Sequence, residues 1–396
     1  MTPHPTRLNL PEDIDATRFL RAYWQKKPLL MRRALPADCF PVTADELAGL
    51  ACEPEIESRL IVEKSPLDWR IEHGPFDESD FAGLPASHWT LLVQDVDKYL
   101  PDVAGLIDLF DFVPAWRIDD IMISYAAHQG GVGPHVDAYD VFLMQASGRR
   151  RWRLSYRDYT DQDLIPDLEQ RILSSFDTDE DWILEPGDIL YLPPGVAHWG
   201  TAEGACMTYS LGFRAPSQRE LAGDWFQHLV AFAGDQRLVE ANDLSADNLT
   251  ELTPGVLRKV RELLRSLQDI PPEELDRWFG CHITEPKPQF QIVPPDHAWQ
   301  RHHLDEWIAQ GKPLIRNPAA RIAWSTNPDG GISLFVQGEH RELPASLRNS
   351  VHCIAGQRLL SAKTLRALVD REPELPSLLL HLCNDGILEP EQDEAE

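Results

Sequence analysis

The stretch GPHVDAYDVF, residues 133–142, places a histidine and an aspartate two positions apart, directly after a glycine-rich run and at the start of an apolar segment. In a β-strand successive side chains point to opposite faces, so His135 and Asp137 would share one face, a few ångströms apart. Both side chains can bind a metal ion, but two ligands do not hold a metal alone. The sequence therefore predicts a third ligand elsewhere in the chain.

The third candidate ligand lies in GDILYLPPGVAHWG, residues 187–200, where a turn leads into a strand and a Pro-Pro-Gly bend follows. These prolines and glycines fix a sharp bend that would direct His198 back toward the first two side chains. His135, Asp137 and His198 would form a two-histidine, one-carboxylate triad with open coordination positions, which is typical of non-haem Fe(II) oxygenases. The glycine-rich run also contains His128, which we place on the wrong side of the turn and interpret as a surface or substrate-side residue.

The segment ASGRRRWRL, residues 146–154, predicts a turn at its Ser-Gly pair followed by a strand. Alternation places Arg150, Trp152 and Leu154 on one face, which we expect to be the interior, and the intervening arginines on the outer face. A buried guanidinium is costly without an anion. That anion would be either a structural carboxylate or a bound cosubstrate, since the planar fork of arginine fits a carboxylate bidentately.

The pattern of residues along the chain changes twice. The first hundred residues predict short helices and turns, and from about Trp116 to Phe213 short β-rich runs alternate with Gly, Pro and Asp, which is typical of a sandwich or small barrel. The block 216–283 has helical periodicity, with a capping box at Ser217 and Glu220. It would be either an oligomerisation element or a helical cap on the barrel.

A proline-rich linker, PKPQFQIVPP, follows the helical block. Beyond it, two strands and several helices predict a small α+β domain that is winged-helix-like. We therefore expect a catalytic barrel domain at residues 1–215, a helical region at 216–283 and a C-terminal domain at 284–396 that ends in an acidic tail.

Composition limits the classes of partner. The formal net charge of the 396 residues is −27, which argues against direct DNA or RNA binding and fits either a basic protein partner or solubility alone. The six cysteines are scattered without a CxxC pair, so neither structural zinc nor disulfides are expected, and reduced thiols suit a cytoplasmic protein. No signal peptide or membrane-spanning run is evident.

Taken together, PHVDAYDVFLMQASGRRRWRL (134–154) and EPGDILYLPPGVAHWG (185–200) resemble the Jumonji-C family of Fe(II)/2-oxoglutarate oxygenases, and more closely its bacterial ribosomal oxygenase branch of the cupin-4 type. The second stretch carries the spacing G-x5-P-x-G-x2-H of the second cupin motif. The resemblance implies an α+β fold, in which a double-stranded β-helix (cupin or jelly-roll) barrel precedes a helical dimerisation region and a C-terminal winged-helix-like domain. General cupins often have asparagine four residues after the histidine, where Ala202 stands here, and this argues against a simple cupin isomerase.

The resemblance also implies roles for residues. His135, Asp137 and His198 would bind Fe(II), and Arg150 would bind the distal carboxylate of the cosubstrate 2-oxoglutarate. With O2, a cytoplasmic homodimer would hydroxylate the β-carbon of an arginine in the basic large-subunit ribosomal protein numbered sixteen.

Two alternatives stay open at this point. One is the same chemistry on a histidine or asparagine of another ribosomal protein, and the other is a non-enzymatic docking protein. For the substrate side chain, Asp119 and Asp120 are candidates by position only.

Overall fold

The computed structural model describes residues 7–232, 238, 252–265 and 270–390. The chain divides into two compact units, the first formed by Met1–Ala215, Pro286–Ala320 and Ser346–Glu396 and the second by Pro216–Glu285 and Arg321–Ala345. The domain boundaries expected from the sequence, at 215/216 and 283/284, remain a prediction. The predicted acidic tail falls outside the described residues from position 391 onward.

The strands of the described chain have the following bounds: β1 (Leu29–Met31), β2 (Ser58–Ser65), β3 (Asp68–His73), β4 (Trp89–Val93), β5 (Ile118–Ala126), β6 (His135–Val136), β7 (Val141–Ser147), β8 (Arg150–Ser155), β9 (Glu180–Leu184), β10 (Ile189–Leu192), β11 (Ala197–Ala202), β12 (Cys206–Phe213), β13 (Leu314–Arg316), β14 (Ile322–Thr326), β15 (Ile332–Val336), β16 (Glu339–Leu343), β17 (Leu359–Leu360) and β18 (Leu388–Pro390).

The α-helices of the described chain have these bounds: α1 (Ala16–Ala22), α2 (Ala44–Leu50), α3 (Glu78–Ala82), α4 (Val96–Tyr99), α5 (Pro101–Gly105), α6 (Gln218–Phe232), α7 (Pro254–Arg265), α8 (Pro272–Ile283), α9 (Arg301–Ala309), α10 (Arg348–Gly356), α11 (Ala362–Val369) and α12 (Leu375–Asn384).

Two antiparallel sheets build the barrel of the first unit. The major sheet has the strand order β1-β10-β7-β12-β5-β4-β2-β3, and the minor sheet has the order β6-β11-β8-β9. The strand β7 is central to both layers of packing, because its alternate side chains enter different cores. Val141 and Leu143 pack with Trp152 and Leu154 of the minor sheet, whereas Phe142 joins the larger core on the opposite face of the major sheet.

The first hundred residues differ from their prediction. The helix α2 begins with the expected capping box at Thr43 and Glu46, but the same region also supplies β1, β2, β3 and β4 to the major sheet. The outer two of these connections are distant in sequence, since β1 pairs with β10 and β4 pairs with β5, whereas β2 pairs with its neighbours β3 and β4. Local patterning does not reveal the distant partners of β1 and β4.

The turn at the Ser-Gly pair also has a different role from a simple hairpin. The strands β7 and β8 that flank it belong to different sheets, so the turn carries the chain from the major sheet to the minor one. Gly148 has φ +61, and a Cβ there would lie 2.1 Å from the carbonyl oxygen of Ala205. Glycine is therefore required both for the backbone conformation and for the close approach.

The second unit contains the predicted helices α6 and α7, with the Ser217–Glu220 capping box formed by two reciprocal hydrogen bonds. Its three-stranded sheet, β14-β15-β16, includes the two strands expected from the sequence and a third that was not predicted. Throughout the described residues, no helix is long and apolar enough to cross a membrane. The six cysteines are all free thiols, as expected from their spacing.

Candidate metal centre and active site

The fold brings together the three predicted metal ligands. One ligand atom from each of His135, Asp137 and His198 lies within 4.8 Å of the others. Nε2 of His198 is 3.5 Å from Oδ2 of Asp137, and Nε2 of His135 is 3.8 Å from the same oxygen. Within the described ranges, this is the one group of three or more such side chains with metal-binding spacing.

Strand register explains how residues far apart in sequence converge. The short strand β6 pairs with β11 so that His135 lies directly opposite His198. Asp137 lies just past the end of β6 rather than inside a longer strand as predicted, and its carbonyl accepts a hydrogen bond of 2.9 Å from the amide of Gly195. Gly195 has φ +83, so the Pro-Pro-Gly bend ties the two motifs together in a conformation that suits glycine.

Both imidazoles are oriented by the main chain. Nδ1 of His135 lies 2.9 Å from the carbonyl of Gly133, and Nδ1 of His198 lies 3.0 Å from the carbonyl of Val196. A carbonyl can only accept, so each Nδ1 carries the proton and leaves Nε2 with its lone pair toward the shared site. Burial, with a smaller contribution from His135, lowers the pKa of His198 to about 4, which keeps that ring neutral as a metal ligand must be.

Arg150 lies next to the triad and is 2% exposed, as strand alternation predicted; Trp152 and Leu154 on the same face are 4% and 0% exposed. Among the described residues no carboxylate forms an ion pair with it, and its Nε has no hydrogen-bond partner. Its one side-chain hydrogen bond is a long one of 3.4 Å to Oγ of Ser124. Burial accordingly lowers the pKa of Arg150 from its usual value. No structural carboxylate compensates this guanidinium within the described residues, so it could accept an anionic ligand.

Gly200 on β11 makes room for this arginine, a function that sequence reasoning missed. A Cβ on Gly200 would lie 2.7 Å from Nε of Arg150 and equally close to the ring of Trp152. The guanidinium also lies over the Trp152 ring, 4.9 Å from its centroid. The only hint in the sequence is a glycine in the middle of a strand.

The outward arginines of β8 are held by side chains of their own sheet. Arg151 binds Glu203 and Asp181, each at 2.9 Å, and Arg153 lies over the Trp199 ring at 3.6 Å. His128 is exposed and accepts a hydrogen bond from the amide of Gly204, away from the triad. These residues therefore do not line the candidate site.

The triad and Arg150 line one cavity of about 270 Å³. Its lining also contains Asp119 and Asp120, at the start of β5, together with Gln94 and Arg59. Asp120 lies four residues before Ser124, the hydrogen-bond partner of Arg150, which corresponds to about 13 Å along β5. Asp120 is 6% exposed and accepts a hydrogen bond of 3.1 Å from the amide of Asp95. The chemistry of the donor set, two neutral imidazoles and a carboxylate, fits Fe(II), and the unpaired arginine fits the carboxylate of an organic acid.

Comparison with known proteins extends this description. The family profile of the JmjC domain matches residues 105–221, and the profile of the ROXA-like winged helix matches residues 260–389. The ribosomal protein uL16 3-hydroxylase of Escherichia coli (strain K12) is 35% identical over 375 residues, which are 93% of this chain and 95% of that protein.

Solved structures of an Escherichia coli protein, YcfD, have the same fold. One crystal structure aligns with a TM-score of 0.79 at 33% identity, covering 97% of this chain and 100% of that one. A second, described as a ribosomal oxygenase in complex with cobalt and 2-oxoglutarate, aligns with a TM-score of 0.77 at 33% identity over 98% and 99% of the two chains. These matches confirm the cupin-type barrel and the C-terminal winged-helix domain expected from the sequence.

Proposed function

We propose that this chain, which belongs to the ribosomal oxygenase family of JmjC-domain hydroxylases, adds one oxygen atom to the β-carbon of an arginine in the ribosomal protein uL16 of its host. The chain is an Fe(II)- and 2-oxoglutarate-dependent dioxygenase that acts on a ribosomal protein. The choice of uL16 follows the relative of that name, and the choice of arginine is supported by the charge of the cavity.

One observation carries the proposal: an unpaired buried guanidinium and a three-ligand metal site line the same cavity. A buried unpaired charge costs free energy unless a ligand compensates it. In this cavity the dicarboxylate 2-oxoglutarate would engage Arg150 through its distal carboxylate while His135, Asp137 and His198 hold the metal.

Each group of residues would contribute a separate function. When bound, iron and 2-oxoglutarate supply the oxidising chemistry that inserts one atom of O2 into a C–H bond. The two histidines and Asp137 would fix the metal, and the Nδ1 hydrogen bonds to main-chain carbonyls would keep both rings aimed at it. Arg150 would orient the cosubstrate, and the apolar side chains of Val141, Leu143 and Trp152 around it would exclude water.

The acidic residues of the cavity, Asp119 and Asp120, favour a substrate with a cationic side chain over one with a neutral side chain. Asp119 and Asp120 line the same cavity as Arg150, and carboxylates bind a guanidinium group through strong, often bidentate hydrogen bonds. A histidine or asparagine side chain would bring no permanent positive charge to these carboxylates, whereas an arginine side chain would. A docking protein without catalysis would have no use for the unpaired Arg150.

Incubation with uL16 tests this function. The enzyme, Fe(II), 2-oxoglutarate and O2 should add one oxygen atom to an arginine-containing uL16 peptide and release an equal amount of succinate, and H198A should do neither. Oxygen found instead on a histidine or asparagine of another ribosomal protein would establish the first alternative. No turnover of 2-oxoglutarate with any ribosomal protein, by enzyme with bound iron, would establish the docking alternative.

We also propose that the enzyme is a homodimer formed through its helical region and acts in the cytoplasm, where ribosomal proteins are made. The apolar residues Leu257, Val260 and Leu264 repeat at helical spacing along α7 and are exposed, as are Phe226 and Val230 on α6. Exposed apolar stripes of this kind are typical of helices that pack against a partner.

Sedimentation tests the homodimer. Leu264→Glu should convert the protein to a monomer, whereas Arg258→Glu, which changes charge on the exposed polar side of the same helix, should leave the dimer intact. A monomeric wild-type protein would contradict this proposal without affecting the assignment of the active site.

A further inference from the structure

The acidic wall of the cavity has a cation that comes from a distant part of the chain. Lys287 follows α8, in the stretch that the sequence marks as a linker. Its Nζ lies 2.6 Å from Oδ1 of Asp95 and 3.4 Å from Oδ2 of Asp119. The amide of Asp95 in turn donates to Oδ2 of Asp120, so one lysine is linked to both cavity-lining carboxylates, directly or through Asp95.

Charges of both signs act on the carboxyl group of Asp120. The charged groups near Asp120 are Asp119 on the same strand, Asp95 and Asp97 after β4, and Lys287 from the linker. Lys98 pairs with Asp97 at 2.5 Å. Tyr139 and Arg59 line the same cavity, and both Asp120 and Arg59 act electrostatically on Tyr139. Burial is the largest cause that raises the pKa of Asp120, Lys287 lowers it, and the acidic neighbours raise it, so that together they bring it to about 7. Loss of the lysine would remove its lowering effect, so Asp120 would keep its proton to higher pH and attract a cation less at neutral pH.

We propose that Lys287 is a positioning residue for substrate recognition, which holds Asp95 and Asp119 in place and keeps the acidic wall anionic for a cationic side chain of the substrate. The inference rests on the proposed function, because it concerns the same cavity. Lys287 does not line the cavity and would not contact the substrate. It acts through the carboxylates that do.

The test measures kcat and KM for an arginine-containing uL16 peptide as a function of pH, with the full-length enzyme. Lys287→Met should raise KM at pH 7 about tenfold or more and change kcat at saturation little, and the acid limb of kcat/KM should move to higher pH by about 1 to 3 units. Lys287→Arg keeps the charge and should retain the wild-type profile.

A charge-balanced double variant separates electrostatics from structure. Lys287→Met combined with Asp95→Asn removes one positive and one negative charge, and Asn tolerates the left-handed backbone of position 95, where φ is 55°. We expect this pair to move the acid limb back toward the wild-type position.

These experiments can separate a failure of the role of Lys287 from a failure of the proposed function. Two results would overturn the role of Lys287 and leave the proposed function intact, provided that the wild-type enzyme modifies the peptide. One is a wild-type pH profile of Lys287→Met. The other is a double variant whose acid limb is displaced as far as that of Lys287→Met. A wild-type enzyme that leaves the peptide unmodified would overturn the proposed function itself. If Lys287→Met does not fold, Lys287→Gln takes its place in the same comparison, because it also removes the charge and keeps a polar side chain.

Discussion

The two ends of the active-site cavity differ in whether the protein compensates their buried charges. At the metal end, Arg150 is a buried cation for which the described chain supplies no carboxylate. At the far end, the protein supplies its own cation, because Lys287 pairs with Asp119 and Asp95 and acts electrostatically on Asp120. The first end is incomplete without a ligand, whereas the second is compensated internally.

This difference indicates how each end recognises its ligand. An uncompensated buried charge favours one small anion of fixed shape, which suits a cosubstrate used in every turnover. A cluster whose charge is already compensated binds an added cation less tightly, and its net charge depends on pH and on the neighbouring groups. Such a cluster suits a protein side chain that must be bound and then released.

The largest expected effect lies at the metal site itself. Asp137→Ala removes the one carboxylate ligand and should reduce both iron binding and turnover to background, because two imidazoles alone do not hold Fe(II) firmly. Metal analysis and a turnover assay measure this. His128→Ala, an exposed histidine outside the cavity, is the control and should behave as wild type. Iron retained by the Asp137 variant would refute the ligand assignment.

A second variant should affect the Arg150 end alone. Arg150→Met removes a buried charged partner of the cosubstrate, worth about 2–5 kcal/mol, and should raise the 2-oxoglutarate requirement by about 30-fold or more with iron still bound. The measurement is turnover against 2-oxoglutarate concentration. Arg149→Met on the exposed side of the same segment is the matched control. Unchanged cosubstrate dependence in Arg150→Met would place the anchor elsewhere.

A third variant should affect the acidic end alone. Asp120→Asn keeps the shape of the side chain but removes its charge, and should raise the peptide KM by roughly 10- to 100-fold, as for a hydrogen bond to a charged group. The 2-oxoglutarate requirement should stay as in wild type. Asp181→Asn, on the outer face of the barrel, is the control. An effect of Asp120→Asn on 2-oxoglutarate rather than on the peptide would contradict the division between the two ends.

The pH dependence follows from the same carboxyl group. Burial raises the pKa of Asp120 from 3.8 to about 7, so wild-type kcat/KM should fall as the pH drops through about 7. The folded protein also binds this proton more tightly than the unfolded chain, so the stabilisation is present below pH 3.8 and is lost as the pH rises through about 7. Denaturation of wild type and Asp120→Asn across this range should show a steeper loss in wild type, and parallel curves would contradict the prediction.

The smallest effect concerns the stability of the ligand-free protein. Arg150→Met replaces an unpaired buried cation with an apolar side chain and should increase the free energy of unfolding by about 1–4 kcal/mol. Arg149→Met should change it by less than about 0.5 kcal/mol. Saturating 2-oxoglutarate should increase the free energy of unfolding of wild type but not that of Arg150→Met. With 2-oxoglutarate present, wild type should therefore be the more stable of the two proteins. A destabilised ligand-free variant would show that Arg150 has a structural role.

Sequence patterns predicted one end of the cavity better than the other. Strand alternation placed Arg150 inside, and the spacing of two short motifs selected the three residues that the fold brings within 4.8 Å. These predictions succeeded because the information is local: a strand repeats every two residues, and prolines and glycines mark a bend.

The acidic end could not be predicted in the same way. The contact between Lys287 and Asp95 joins residues 192 positions apart, and nothing in the linker sequence marks that lysine. The strands β1 and β4 of the first hundred residues escaped prediction for a related reason, since their partners β10 and β5 come later in the chain. Pairing of distant segments is decided by the whole fold.

The most direct test of the two-ended cavity is a crystal structure of the enzyme with Mn(II), 2-oxoglutarate and an arginine-containing uL16 peptide, prepared without O2. The account predicts a metal ion bound by His135, Asp137 and His198, the distal carboxylate of 2-oxoglutarate on the guanidinium of Arg150, and the arginine of the peptide against Asp119 and Asp120. A 2-oxoglutarate molecule bound away from Arg150, or a metal ion that misses any of the three ligands, would contradict it.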